Sequence, residues 1–86
     1  MMTYNIDIKS EVKKYLLTLD KALRQRISRN INQLAANPRP AGCKKLKTID
    51  AYRIRVGDYR VIYEIKDATL IILVVKIAHR REAYGN

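Results

Sequence analysis

The chain has no tryptophan and no phenylalanine, and all six of its aromatic residues are tyrosines. Its core must therefore be largely aliphatic. Cys43 is the only cysteine, which excludes an intrachain disulfide and fits a reducing compartment. The opening "MMTYNIDIKS" has no apolar signal core, so a cytoplasmic location is expected. The longest apolar run, "ATLIILVV", spans eight residues. That length suits a buried strand and falls far short of the ~20 residues a membrane helix needs. One histidine, one cysteine and scattered acids make no metal-ligand set, so neither a metal nor another cofactor is expected. Acids are the scarcest functional class: eight Asp and Glu stand against eighteen Lys and Arg, a formal net charge of +10. An excess of that size favours a polyanionic partner and carries no information about the fold.

What is present suffices for one domain over residues 1–86, since 48% of the residues are hydrophobic. A domain of this size buries roughly 60–65% of its unfolded surface. "TYNIDI" (3–8) alternates as a strand does. Ser10 is placed to cap a helix starting at Glu11, with an apolar stripe of Val12, Tyr15, Leu16 and Leu19. Asp20 is placed to cap a second helix with the stripe Leu23, Ile27, Ile31 and Leu34, which "NPRPAG" (37–42) ends. Strands are expected at 44–48, 51–56, 59–65 and 69–78, the last apolar on both faces and therefore central. The predicted fold is α+β: an N-terminal strand and a helical hairpin packed on one face of a mostly antiparallel sheet of about four to five strands.

"YRIRVGDYR" (52–60) carries the functional signal. Gly57-Asp58 reads as a two-residue hairpin turn, pairing Val56 with Tyr59, Arg55 with Arg60, Ile54 with Val61 and Arg53 with Ile62. Tyr52, Ile54, Val56, Tyr59, Val61, Tyr63 and Ile65 then form the apolar face under the helices. Arg53, Arg55 and Arg60 point to solvent. If Ile71, Leu73, Val75 and Ile77 also lie under the helices, Lys76 and Arg80 join the arginine side. Any half-exposed sheet shows charges outside, but a structural face more often alternates their sign, and here Arg55 opposes Arg60 at a distance where like charges destabilise. A phosphate is the simplest missing counter-charge.

"YRIRVGDYRVIYEI", followed by an apolar strand and "HRREAY", resembles the RelE/ParE superfamily of type II toxin–antitoxin toxins, over nearly the whole chain. The arginine-rich end with its tyrosine is closer to the RelE branch, whose members cut messenger RNA in the ribosomal A site, than to ParE-type gyrase inhibitors. The resemblance implies a RelE-like fold and a metal-independent endoribonuclease acting on the 70S ribosome by 2′-OH attack. It implies a cognate antitoxin whose acidic or amphipathic segment covers the basic face, with messenger and ribosomal RNA as the other partners and no membrane. It points to Arg60, Arg80 and Tyr84 as catalytic residues and to Arg53 and Arg55 as RNA-phosphate ligands, to which the cationic pattern of the sheet and tail adds Lys76 and Arg81. Lys44, Lys45, Lys47, Arg24, Arg26 and Arg29 are solvated charges individually, and as a set are candidates for holding ribosomal RNA.

Within that chemistry Arg60 is expected to grip the scissile phosphate and Arg80 to stabilise the leaving oxygen. Lysines are frequent in RelE at the positions of Arg53 and Arg55, and an arginine keeps its proton, so neither is a general base. Tyr84 qualifies as the base if neighbouring cations lower its pKa, or it stacks on a nucleobase; Lys76 is a second candidate. His79 has the intrinsic pKa for acid–base work, but its place at a strand end favours packing or hydrogen bonding. Tyr52, Tyr59 and Tyr63 are expected in the core.

Overall fold

The alternating and helical patterns of the chain resolve, in a computed structural model that describes residues 3–83, into five strands and three helices. These are β1 (Asn5–Ile8), α1 (Ser10–Leu17), α2 (Lys21–Gln33), β2 (Lys44–Lys45), β3 (Tyr52–Val56), β4 (Tyr59–Lys66), β5 (Ile71–His79) and α3 (Arg80–Ala83). The sheet order is β1-β5-β4-β3-β2, with β1 parallel to β5 and the other neighbours antiparallel. The strand that is apolar on both faces, β5, is interior, as expected. Val12, Leu16, Ile27, Ile31 and Leu34 of the helical hairpin bury against Ile54, Val56, Val61, Tyr63, Ile72, Val74 and Ile77 of the sheet. Removing that much aliphatic area from water is the main stabilising term. Among the described residues no helix is long and apolar enough to cross a membrane.

The β3–β4 register is the one read from the turn: Val56↔Tyr59, Arg55↔Arg60, Ile54↔Val61 and Arg53↔Ile62. Gly57 has φ +60°, and Asp58 is not among the positive-φ residues. A glycine in that conformation at the first turn position, followed by a residue at negative φ, is the type II′ pattern, whose twist matches the flanking strands.

Five local expectations are corrected. Residues 46–51 turn back, with Leu46 N–H donating to Ala51 C=O, so β2 stops at Lys45 and Lys47 lies outside it. The last strand begins at Ile71, because Leu70 adopts φ 55°, a left-handed conformation outside the strand region. The inward set of β5 is Ile72, Val74 and Ile77, because the β4–β5 register slips between Ile62↔Lys76 and Tyr63↔Val74. Val75 is the extra residue of a β-bulge that reverses the parity, so Ile71 and Leu73 face away from the helices. Arg53 is 7% exposed and does not project into solvent. It sits between Lys44 of β2 and Ile62 of β4, which cover its aliphatic stem. Finally, α1 begins at Ser10 with Lys9 at the N-cap; Asp20 is the N-cap of α2, and neither cap residue makes a side-chain capping bond.

Candidate functional site

The hairpin turn sets one end of the site and the last strand brings the other to it. Arg55 and Arg60 face each other across β3 and β4, and Ala78 of β5 is next in the same row. The chain leaves the sheet after His79, and Arg80 lines the same cleft as Arg55 and Arg60. Its backbone N–H donates to Asp58 C=O at 2.7 Å, which fastens the start of α3 to the hairpin tip. The result is a cleft of about 190 Å³ lined by Arg55, Gly57, Asp58, Tyr59, Arg60 and Arg80. Arg81 lies beside it in a shallower hollow with Asp58, His79 and Arg80. Arg60 engages another group of the chain, as does Arg53. A guanidinium fork binds two phosphate oxygens at once, so three such groups around one small polar cleft have the chemistry to hold an oxyanion.

The structure does not bring every anticipated residue to this cleft. Arg53 and the exposed Lys76 lie one row away, in the series Lys44–Arg53–Ile62–Lys76 across the outer sheet face. Lys45 points to the other face, where its Nζ is 2.9 Å from Asp50 and sits over the Tyr52 ring. Arg24 donates to Leu19 C=O at 3.4 Å, and Arg29 is exposed on α2. Tyr84 lies outside the described residues. Tyr63 is fully buried and Tyr52 and Tyr59 pack against the core, as their parity implied.

Three residues named in the sequence take places at the tip that the sequence did not disclose. Arg26 reaches from α2 over the turn: a Cβ at position 57 would lie 3.3 Å from its Nη1. Helical spacing shows only that Arg26 is off the apolar stripe, not that it meets the hairpin. Asp58 read as a turn residue, yet its carbonyl anchors α3. His79 Nδ1 accepts the Arg81 N–H at 3.2 Å, and its ring meets Tyr59 edge-on at 5.1 Å. This is the hydrogen-bonding role its strand-end position favoured.

The opposite end of the sheet is built differently. Arg39 Nη2 is 3.1 Å from Asp67 Oδ2, and its Nε donates to the Tyr52 hydroxyl at 3.2 Å. The Tyr4 hydroxyl donates to Asp67 Oδ1 at 2.6 Å. That hydrogen bond, together with Arg39, holds the Asp67 carboxyl below the usual aspartate range. Lys45 pairs with Asp50 and Lys66 with Glu64, each at 2.9 Å and away from the tip. Tyr63 donates to Pro38 C=O at 2.7 Å, and burial pushes its phenol well above the ordinary value.

Comparison with known proteins gives this geometry a context. The family model described as the ParE toxin of type II toxin–antitoxin systems, parDE, matches residues 6–84. A protein of Methanocaldococcus jannaschii named as toxin RelE1 is 35% identical over 89 residues, covering 99% of each chain. Among solved structures, the archaeal RelE–RelB complex from Pyrococcus horikoshii superposes with a TM-score of 0.83 at 35% identity, over 92% of this chain and 97% of that one. A mutant Escherichia coli RelE in the free state gives a TM-score of 0.79 at 23% identity, over 98% and 90%. The last is a likeness of fold.

Proposed function

We infer the function from a fixed premise: the chain belongs to the RelE/ParE superfamily of type II toxin–antitoxin toxins, on its RelE side. We propose that its single domain is a ribosome-dependent, metal-independent messenger-RNA endoribonuclease. The observation that carries this reading is the convergence of Arg55, Arg60 and Arg80 on one cleft. In the proposed reaction a 2′-oxygen attacks the adjacent phosphorus as the P–O5′ bond breaks. The 2′-OH proton passes to a base, the 5′-oxygen gains a proton, and a 2′,3′-cyclic phosphate is left. Arg60 holds the scissile phosphate, and its charge opposes that developing on the phosphorane. Arg80 stabilises the leaving oxygen electrostatically, a safer role than acid for so weak an acid. Tyr84 is the proposed base, with Lys76 as the alternative. Arg55 and Arg26 hold flanking phosphates at the cleft. Lys76 and Lys44 extend the cationic track along the sheet on either side of the buried Arg53, with Arg81 at its end. Lys47, Arg24 and Arg29 are surface cations available to ribosomal RNA; Lys45 is a weaker candidate, being tied to Asp50.

A cognate antitoxin is the second proposed partner. The Pyrococcus horikoshii relative is a complex of RelE with RelB, and a +10 chain is suited to an acidic or amphipathic covering segment. The matched family model is that of ParE toxins, so gyrase inhibition is the second reading. Induced expression followed by mapping of messenger-RNA 5′ ends separates the two. Cleavage inside codons, on translated messages only, is the expected result. Intact messages with arrested DNA replication would transfer the assignment to gyrase.

A further inference from the structure

α3 holds four residues, too few to persist alone, because helix nucleation is unfavourable and a single turn does not repay it. Its first N–H groups therefore need partners outside the helix. Arg80 N–H finds Asp58 C=O at 2.7 Å, and Arg81 N–H finds His79 Nδ1 at 3.2 Å. The second bond has the geometry of an N-cap, a side-chain acceptor one residue before the helix serving the second helical amide. The His79 ring is fixed in turn by its edge-on contact with Tyr59, its cross-strand partner, which also pairs with Val56 across the hairpin. Hairpin tip, imidazole and α3 thus form one unit, and Arg80 reaches the Arg55–Arg60 cleft from the residue between the two bonds.

We propose that His79 is a positioning residue: its neutral imidazole caps α3 through Nδ1 and so holds Arg80 in the cleft with Arg55 and Arg60. Acceptance at Nδ1 requires the tautomer with its proton on Nε2. The same bond argues against a general acid at Nδ1, since a proton there would eject the Arg81 amide. The consequence for cleavage rests on the endoribonuclease reading; the cap itself does not.

The test therefore has two independent arms. In the first, the nitrogen spectrum of the imidazole is recorded on the intact protein, where His79 is the only histidine. A neutral ring with a pyridine-type Nδ1 and a protonated Nε2 is expected, and the opposite tautomer overturns the proposal. Arg81 amide exchange should accelerate about fivefold in His79→Ala and return to the parental rate in His79→Asn, whose side-chain oxygen also caps. Equal exchange in parent and Ala variant overturns it, and if the Ala variant does not fold, the tautomer still decides. In the second arm, single-turnover cleavage on programmed ribosomes should fall about five- to tenfold in His79→Ala and recover in His79→Asn. In an Arg80→Ala background, His79→Ala should add nothing. Full additivity, or failure of Asn to rescue, would mean that the ring acts directly or only as packing. If the parent itself does not cleave, the endoribonuclease reading fails, and the first arm still decides the cap.

Discussion

The two ends of the central hairpin spend arginine in opposite ways. At the base, Arg39 is bonded to Asp67 and Tyr52, and Lys45 and Lys66 each have a carboxylate at 2.9 Å. At the tip, Arg55 is set against Arg60, Arg80 is fastened beside them by its backbone, and Arg26 leans over the turn. One end satisfies its charges and ties the loop after α2 to the sheet. The other gathers three guanidinium groups around one cleft, with Arg55 directly opposite Arg60, a like-charge juxtaposition that an arriving phosphate would relieve. The stabilising ion pairs and the proposed site thus fall at different ends of the same pair of strands, which predicts that substitutions separate cleanly.

The largest effect is expected from Arg60→Ala. Single-turnover cleavage on programmed ribosomes should fall about 10²–10³-fold, the range for removing one preorganised charge-stabilising donor. The slope of log K against log salt for RNA binding should drop by about 0.7, one single-strand phosphate contact. Arg39→Ala, at the base, should leave both unchanged. Equal losses at the two ends would erase the division.

Next comes Tyr84→Phe, which removes one hydroxyl and leaves a stacking ring. A base at this position predicts a loss of at least about 10²-fold in the same assay, with ribosome binding unchanged. Near-parental cleavage by Phe but not by Ala would make Tyr84 a stacking residue and turn attention to Lys76.

At the base the expected signature is stability instead. Tyr63→Phe removes the hydroxyl that donates to Pro38 C=O from a fully buried ring. It should cost about 1 kcal/mol, read as a melting midpoint lower by about 4–8 °C for a domain of this size, with unchanged cleavage per folded molecule. Arg55→Ala at the tip should move the other way. Relieving a directly opposed like-charge pair is worth about 0.2–1 kcal/mol, so urea denaturation should show a slightly more stable protein that binds RNA less tightly.

This division was only half legible in the sequence. The tip was readable because two independent rules agreed: a Gly-Asp turn sets the register, and strict alternation sets the faces. The RelE-like motif, from Arg53 to Arg80, lay on that scaffold, so Arg55, Arg60 and Arg80 were found together. The β5 parity was unreadable, because residues 70–75 are all apolar and either face satisfies the pattern; only the bulge at Val75 decides. Arg53 looked exposed because alternation reports a face, not what flanks it, and its burial comes from β2 and β4. α3 has no hydrophobic period and is held by a tertiary bond to Asp58 and a local side-chain bond to His79. Nor did any local signal disclose the base network, since Tyr4, Arg39, Tyr52 and Asp67 meet only once the sheet has assembled.

The smallest effect is one of pH, and it belongs to the base alone. The Tyr4 hydroxyl, and then Arg39, stabilise the ionised form of Asp67, so its folded-state pKa lies below its unfolded value of about 3.9. Above the unfolded value both states carry the charge and the favourable contacts contribute fully. As the pH falls toward and through the folded value, the unfolded chain takes up its proton first, and the contribution is lost. Asp67→Asn removes the titration and the ion pair together. Its urea midpoint should therefore lie below that of the parent at neutral pH, and the two should converge as the pH falls from about 5 to about 2. Added salt should narrow the neutral-pH gap as well, because both partners are about half exposed and open to screening. A gap that stayed constant with pH would assign the stabilisation to the neutral hydrogen-bond geometry of the cluster, and the base would no longer be the end where charge is spent on stability.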